Sequence, residues 1–380
     1  MSAIVLAAGE GSRLRPLTVS KPKPMIQVAV RPILESAVRA LAETGVKDVS
    51  LVVGYHREKV QAFFGDGSRF GVRISYAFQE ALTGTARALV TAPQPQGDFF
   101  VIGGDNTVDP SLLKAAADAP AGEVVMVVAR STAPSRYGVV TLEGDQVVGL
   151  TEKPAAPSSE WVNTGVYRLT PAFYDRVMAA VESGTLGLTT VLSDFIATGG
   201  RIRAVRADGF WADAAYPWDL LTIHGRVLAG QRVEGLPDGV RADMGVFVAE
   251  DADVGPSTFL GAGTCVGQNV VVGANCVLEN CIVYDDATIG PGSVLRNAIV
   301  GEGARLGPRT TILSGACEVR VGDEVVVLDD FGAVIGEGAT LAGANLVLPG
   351  SIVGNHTTVA PGARVAGTTP DHALVVGGGA

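Results

Sequence analysis

The sequence predicts an α/β domain followed by a parallel β-helix, and three observations carry that reading. Strand-like apolar runs alternate with segments of helical period up to about residue 229. Past about residue 245, apolar residues return at nearly every sixth position. Between these regions, "GQRVEGLPDGVR" has the glycine, proline and charge of a linker. The expected division is therefore 1–229, a linker over 230–245, and a repeat domain over 246–380.

In the first region "SAIVLA" reads as a buried strand, and "DVSLVVG", "VRISYAF", "DFFVIGG" and "EVVMVVAR" as further strands. "PILESAVRALAETG" places Ile33, Leu34, Ala37, Val38 and Leu41 on one helical face, with Gly45 as its stop. Alternation of this kind predicts a largely parallel sheet with helices on its faces. Ligands of such sheets bind outside the carboxyl ends of the strands. The loop after "SAIVLA" lies at such an end.

In the second region the anchors are Val254, Leu260, Val266, Val272, Leu278, Val283, Ile289, Leu295, Val300, Leu306 and Ile312, then Ile335, Leu341, Val347, Val353, Val359 and Val365. A small or β-branched residue stands four positions after many of them. Glycine follows directly at Gly255, Gly261, Gly267, Gly273 and Gly290, where it is expected to relieve the backbone at a corner. Such a hexapeptide repeat predicts a parallel β-helix whose anchors stack from coil to coil. "EVRVGDEVVVLDDF" breaks the period and reads as a hairpin around Gly322 and Asp323, or as an ejected loop. Asn345, at an inward position, needs a hydrogen-bond partner. The tail beyond Pro370 is expected to fray.

A formal charge of −10 and a pI near 5.0 argue against broad nucleic-acid binding. No run of eighteen apolar residues predicts a membrane span. The short apolar start, with basic residues after it, does not read as a signal peptide, so a cytoplasmic location is expected. Cys265, Cys276, Cys281 and Cys317 have no Cys-x-x-Cys spacing and read as reduced thiols.

"LAAGEGSRLRPLTVSKPKPM", residues 6–25, places two glycines and four cations at the start of an acidic chain. A glycine loop between strand and helix presents backbone N–H groups to an anion, and Arg13 adds a planar fork that suits phosphate oxygens. Taken alone, Gly-x-Gly is equally a tight turn, and the Gly-Lys-Ser/Thr of a Walker loop is absent. With its downstream landmarks, however, the segment resembles the sugar-1-phosphate nucleotidylyltransferases. "FQEALTGTARAL", "GGDN", "YGVV", "TEKP", "NTGVY" and "WADAAYPWDLL" follow in order. The hexapeptide region extends the resemblance to nearly the whole chain.

The resemblance implies a Rossmann-like nucleotidyltransferase domain with a mixed, mostly parallel sheet, and a left-handed β-helix behind it. It implies transfer of a nucleotidyl group, from UTP or dTTP in preference, to a sugar 1-phosphate, with release of pyrophosphate. It implies nucleotide binding by Leu6, Ala8, Gly9, Glu10, Gly11, Ser12, Arg13, Lys23, Gln79, Gly84 and Thr85. Gln79 would read the base edge. Gly138, Glu152, Lys153, Asn163 and Thr164 would hold the sugar phosphate. Arg13, Lys23 and Lys153 would be catalytic, and Asp105 and Asp213 would bind Mg²⁺. Asp105 could otherwise be a strand-end turn residue, and either Asp213 or Asp219 could cap the "YPWDLL" helix. The tryptophans Trp211 and Trp218 read as packing residues, and the four histidines as surface or structural.

Small-molecule substrates and assembly of copies through the β-helix are expected. Two rivals stand beside this reading. One is a silent paralogue, opposed by the intact Arg13, Lys23, Asp105, Lys153 and Asp213. The other is added amino-sugar-phosphate acetylation on the β-helix, opposed by the lack of histidine in the interrupted stretch.

Overall fold

The computed structural model describes residues 1–81, 84–233 and 235–376. Its contacts divide the chain into two compact units. The first comprises Met1–Glu10, Lys21–Ile26 and Pro32–Asp213, and the second Gly11–Ser20, Gln27–Arg31 and Ala214–Ala380.

The first unit is built on a nine-stranded sheet in the order Arg73–Phe78, Asp48–Val53, Ser2–Ala7, Phe99–Gly103, Trp161–Leu169, Val124–Arg130, Ile202–Arg206, Gln146–Glu152, Gly138–Glu143. Trp161–Leu169 and Gln146–Glu152 run against the other strands, so the sheet is mixed. Each predicted strand forms, and the predicted helix spans Ile33–Glu43, with Gly45 at φ +87° beyond it. Apolar residues on both faces of the sheet are buried. Val5, Leu51, Phe100 and Val125 meet the Ile33–Glu43 helix side, while Ile4, Val101, Met126 and Leu192 form a second core.

The strand order reverses direction of growth at Ser2–Ala7, which pairs in parallel with Asp48–Val53 on one side and Phe99–Gly103 on the other. This is the switch point at which open α/β sheets bind ligands. The opening loop does not lead from strand into α-helix, as the glycine-loop reading expected. It enters one 3-10 turn, Ser12–Leu14, and the first α-helix starts only at Ile33.

In the second unit, three parallel sheets of short strands carry the predicted coils. Each strand pairs with one a full coil later, as Phe259–Leu260 does with Val277–Glu279. All the anchors named above fall in a single buried core. Burying one such side chain is worth about 1.5–3 kcal/mol, which explains why an apolar residue recurs at every anchor even where two steps shorten to five.

The glycines after the anchors have a different cause from corner relief. A Cβ on Gly273 would stand 2.6 Å from Pro291 N, and one on Gly290 2.5 Å from Pro308 N. These glycines let the next coil's backbone sit down on them. The left-handed turns are instead taken by Asn269, Asn275, Asn280, Asp286 and Asn297, among others. Asn345 finds its partners, donating to Ala360 O and accepting from Gly343 N.

The interruption is an antiparallel hairpin, Gly315–Val321 with Glu324–Phe331, turning at Gly322. Residues 371–376 do not fray as expected, and the rest of the predicted tail lies outside the described residues. Leu374–Val375 adds a further rung on Thr358–Val359, and His372 N donates to Asn355 O. All four cysteines are free. Among the described residues, no helix is long and apolar enough to cross a membrane.

Candidate active site

The carboxyl ends of Ser2–Ala7 and Phe99–Gly103 are tied together by Gly104 N, which donates to Leu6 O at 2.8 Å. Both glycines of "GGDN" are demanded by this packing. A Cβ on Gly104 would meet Ala7 Cβ at 2.8 Å, and one on Gly103 would meet Asp105 Oδ1 at 2.6 Å. Asp105 is thereby held at the mouth of the switch point. By contrast, a Cβ on Gly9 meets nothing within 4 Å, so the space beside this loop is open.

Lys23, on the turn Lys23–Met25, brings the two aspartates together. Its Nζ donates to Asp105 Oδ2 in a short contact and lies 3.5 Å from Asp213 Oδ1. Asp213 arrives on Trp211–Asp213, which pairs with Asn106–Val108 so that Asp213 stands opposite Asn106. Asn106 donates to Asp105 Oδ1 and accepts from the Trp211 indole at 2.6 Å, wiring "GGDN" to "WAD". The sequence reading took Trp211 for packing and passed over Asn106; its place beside the aspartate was the available signal.

The electrostatics follow from this geometry. Burial alone would lower the Lys23 pKa, but the Asp105 and Asp213 charges outweigh it and hold the ammonium charged. Burial would raise the Asp105 carboxyl, and Lys23 beside it keeps it below the usual carboxylate range. Asp213 is not a helix cap; Asp219 fills that role, accepting from Tyr216 N at 2.8 Å.

The two converging carboxylates are a hard oxygen pair that fits Mg²⁺, which commonly takes one or two carboxylates and completes its shell with phosphate and water. Among the described residues no cluster of three or more metal-binding side chains exists. A closed all-protein metal cage is therefore not the arrangement found there.

Three loop ends meet near Ala8. A Cβ on Gly54 would lie 2.9 Å from Gln79 O and 3.1 Å from Ala8 O. Gly54 is thus required by the packing of Ala8 against Gln79, and only its place after "LVV" hinted at it. Gln79 is buried, and its Nε2 lies 3.4 Å from Gly84 O. Leu82 and Thr83 of the same motif lie outside the described residues. Thr85 starts the helix Thr85–Thr91, and its hydroxyl accepts from Leu188 N.

A second grouping forms where Gly138 stands opposite Glu152 in the strand register. A Cβ on Gly138 would lie 3.2 Å from Glu152 Oε2 and 3.5 Å from Asn163 Cβ. Lys153 follows with φ +41° and an exposed side chain. Asn163 donates to Tyr167 OH at 2.6 Å and accepts from Gly165 N. Thr164 is turned away, its hydroxyl donating to Val127 O inside the sheet, so only its backbone remains for a ligand.

Gly11, Ser12 and Arg13 belong to the second unit. There the Arg13 guanidinium lies 5.6 Å from the Tyr216 ring centroid and 3.4 Å from Glu324 Oε1.

Residues 2–229 match the family described as "Nucleotidyl transferase", and residues 243–331 match "GMPPB C-terminal domain". A glucose-1-phosphate thymidylyltransferase of Streptomyces griseus is 34% identical over 75% of this chain and 84% of its own length. A UTP–glucose-1-phosphate uridylyltransferase, AglF, of Haloferax volcanii is 37% identical over 58% of this chain and 93% of its own. The bifunctional protein GlmU of Methanococcus maripaludis is 31% identical over 68% of this chain and 62% of its own. The match over residues 2–229, with the strand-end site inside it, places this chain in the nucleotidyl transferase family.

Proposed function

We propose that this enzyme joins a pyrimidine nucleoside triphosphate, UTP or dTTP, to an aldose 1-phosphate such as glucose 1-phosphate, and releases pyrophosphate. The observation that carries the reading is the Lys23, Asp105 and Asp213 cluster at the switch point. A sugar phosphate oxygen attacks the α-phosphorus, the bond from that phosphorus to the β-phosphate oxygen breaks, and pyrophosphate leaves.

A phosphate monoester sheds its second proton near pH 6, so the nucleophile needs no base. The obstacle is repulsion between two anions. Lys23, kept charged by its aspartates, stabilises the negative charge that gathers at the α-phosphate. Lys153 holds the sugar phosphate against it, and Arg13 with the backbone of Gly9, Glu10, Gly11 and Ser12 holds the triphosphate. Mg²⁺, bound by Asp105 and Asp213, would neutralise phosphate charge and polarise phosphoryl oxygens.

Gln79 pairs with the imide edge of the base, with Gly84 and Thr85 beside the nucleoside. Gly138, Glu152, Asn163 and the Thr164 backbone line the sugar side. The names of the thymidylyl- and uridylyltransferase relatives support both substrate choices. Pyrophosphate release over a matrix of UTP, dTTP, ATP and GTP against several sugar 1-phosphates tests the reading. The highest kcat/KM belongs to UTP or dTTP; a purine in that place overturns the role of Gln79.

The bifunctional relative favours a second reading, acetyl transfer on the β-helix. Acetylation of an amine needs a base near the acceptor. Residues 310–334 carry no histidine, lysine or tyrosine, and the β-helix is proposed to serve assembly of copies instead. Acetyl-CoA-dependent acetylation of glucosamine 1-phosphate by the purified chain would reverse that.

A further inference from the structure

The hairpin that interrupts the β-helix is not a simple excursion. At its base Phe331 is buried and packs edge-on against Trp218, with ring centroids 5.7 Å apart. Trp218 stacks on Tyr216 at 4.8 Å, with planes 9° apart. Just past its turn, Glu324 accepts a 2.6 Å hydrogen bond from Tyr216 OH through Oε2, while Oε1 faces Arg13. Arg13 in turn lies over the Tyr216 ring. Hairpin, aromatic stack and guanidinium therefore form one connected set, and all of it lies within the second unit.

Glu324 here does what a phosphate would do. Its Oε1 accepts from Arg13 Nη2 at 3.4 Å, beside the Tyr216 ring that the guanidinium overlies. Tyr216 fixes the other carboxylate oxygen, so the acid is aimed rather than waving in solvent. A triphosphate and this carboxylate cannot share Arg13 without like-charge repulsion.

We infer that Glu324 is a positioning residue that occupies Arg13 in the nucleotide-free enzyme and weakens triphosphate binding by competition. The hairpin thereby bears on nucleotide affinity through Arg13 alone. This inference rests on the reading of Arg13 as a triphosphate ligand.

Glu324→Gln tests it, because the amide oxygen can still accept from Tyr216 while the charge is gone. Both Arg13 and Glu324 are about half exposed, so the gain is that of a surface ion pair: Kd and KM for UTP and dTTP fall roughly two- to fivefold. The kcat stays unchanged, since the contact is lost before chemistry. The gain shrinks at high salt. In an Arg13→Ala background Glu324→Gln has no effect, as a double-mutant cycle requires.

Calorimetric titration of the full chain with UTP and with dTTP reads Kd without turnover, and pyrophosphate release supplies KM and kcat. Unchanged or weaker binding in Glu324→Gln, with Arg13→Ala still raising Kd, overturns this inference alone. If Arg13→Ala leaves Kd unchanged, the triphosphate role of Arg13 fails and this inference falls with it. A Glu324→Gln gain that persists in the Arg13→Ala background shows the effect to be structural and also overturns it.

Discussion

Asp213→Asn separates the catalytic from the structural use of the aspartate pair. Asp213 Oδ1 sits 3.5 Å from Lys23 Nζ, and its side chain keeps 25% of its exposure. At an effective dielectric of about 20, Coulomb attraction over that distance is about 5 kcal/mol. Residual solvation and the remaining Asp105 partner return most of this. The net loss of stability is about 1–2 kcal/mol, well short of what unfolds a domain of this size. In the proposed Mg²⁺ role activity should depend on the carboxylate far more, because an amide would supply no negative charge to the metal. A loss of at least about 100-fold in kcat is expected, equivalent to about 2.7 kcal/mol in the barrier. Asp105→Asn follows the same pattern with a larger stability cost, since Asp105 makes the closer contact to Lys23. Pyrophosphate release at limiting Mg²⁺, alongside a thermal melt, reads both quantities. A folded Asp213→Asn enzyme with near-normal rates would refute the assignment.

Gly84→Ala places a Cβ 2.3 Å from Leu186 O at a residue with φ +102°, so it costs about 1–3 kcal/mol in a denaturant titration. It also shifts the carbonyl facing Gln79 and raises KM for the nucleotide; an unchanged KM would separate Gly84 from base reading. His224 is buried, its Nε2 facing Gln27 O and its Nδ1 facing Ala29 N, and burial pushes its pKa down to about 4. Its contribution is present above the unfolded value near 6.5 and is lost as pH falls toward 4. Wild type should lose about 3 kcal/mol more than His224→Gln between those limits, and equal slopes would contradict this. Deleting residues beyond 245 should lower the oligomeric mass seen by light scattering; an unchanged oligomer would deny the β-helix its assembly role.

The β-helix was legible because each inward position repeats one demand: an anchor such as Leu278 must be apolar, since coils above and below bury it. The strand-end aspartate was singled out through the family resemblance, since Asp105 alone reads equally as a turn residue, and the need for Gly103 and Gly104 to lack a Cβ emerged only from the packing around them. The convergence of Lys23, Asp105 and Asp213 could only be reached through the family resemblance, since these residues are 82 and 190 positions apart in sequence. Periodicity carries no information on such distances. The Arg13, Tyr216 and Glu324 set was invisible for the same reason. The glycines of the β-helix were recognised but given the wrong cause, because sequence shows a missing Cβ and not the backbone that needs its space. The rung at Leu374–Val375 was missed because its polar approach, "GTTPDHA", has the composition of a loose tail.

The central claim is that a sugar phosphate oxygen displaces pyrophosphate from a pyrimidine nucleotide at the Lys23 cluster. Glucose 1-phosphate carrying ¹⁸O in all its phosphate oxygens, incubated with UTP or dTTP, Mg²⁺ and the full chain, tests it most directly by mass spectrometry. All of the label should appear in the nucleotide sugar, none in pyrophosphate, and Lys23→Met should suppress formation of both products. Label in pyrophosphate, or a nucleotide sugar formed at an unchanged rate without Lys23, would contradict it.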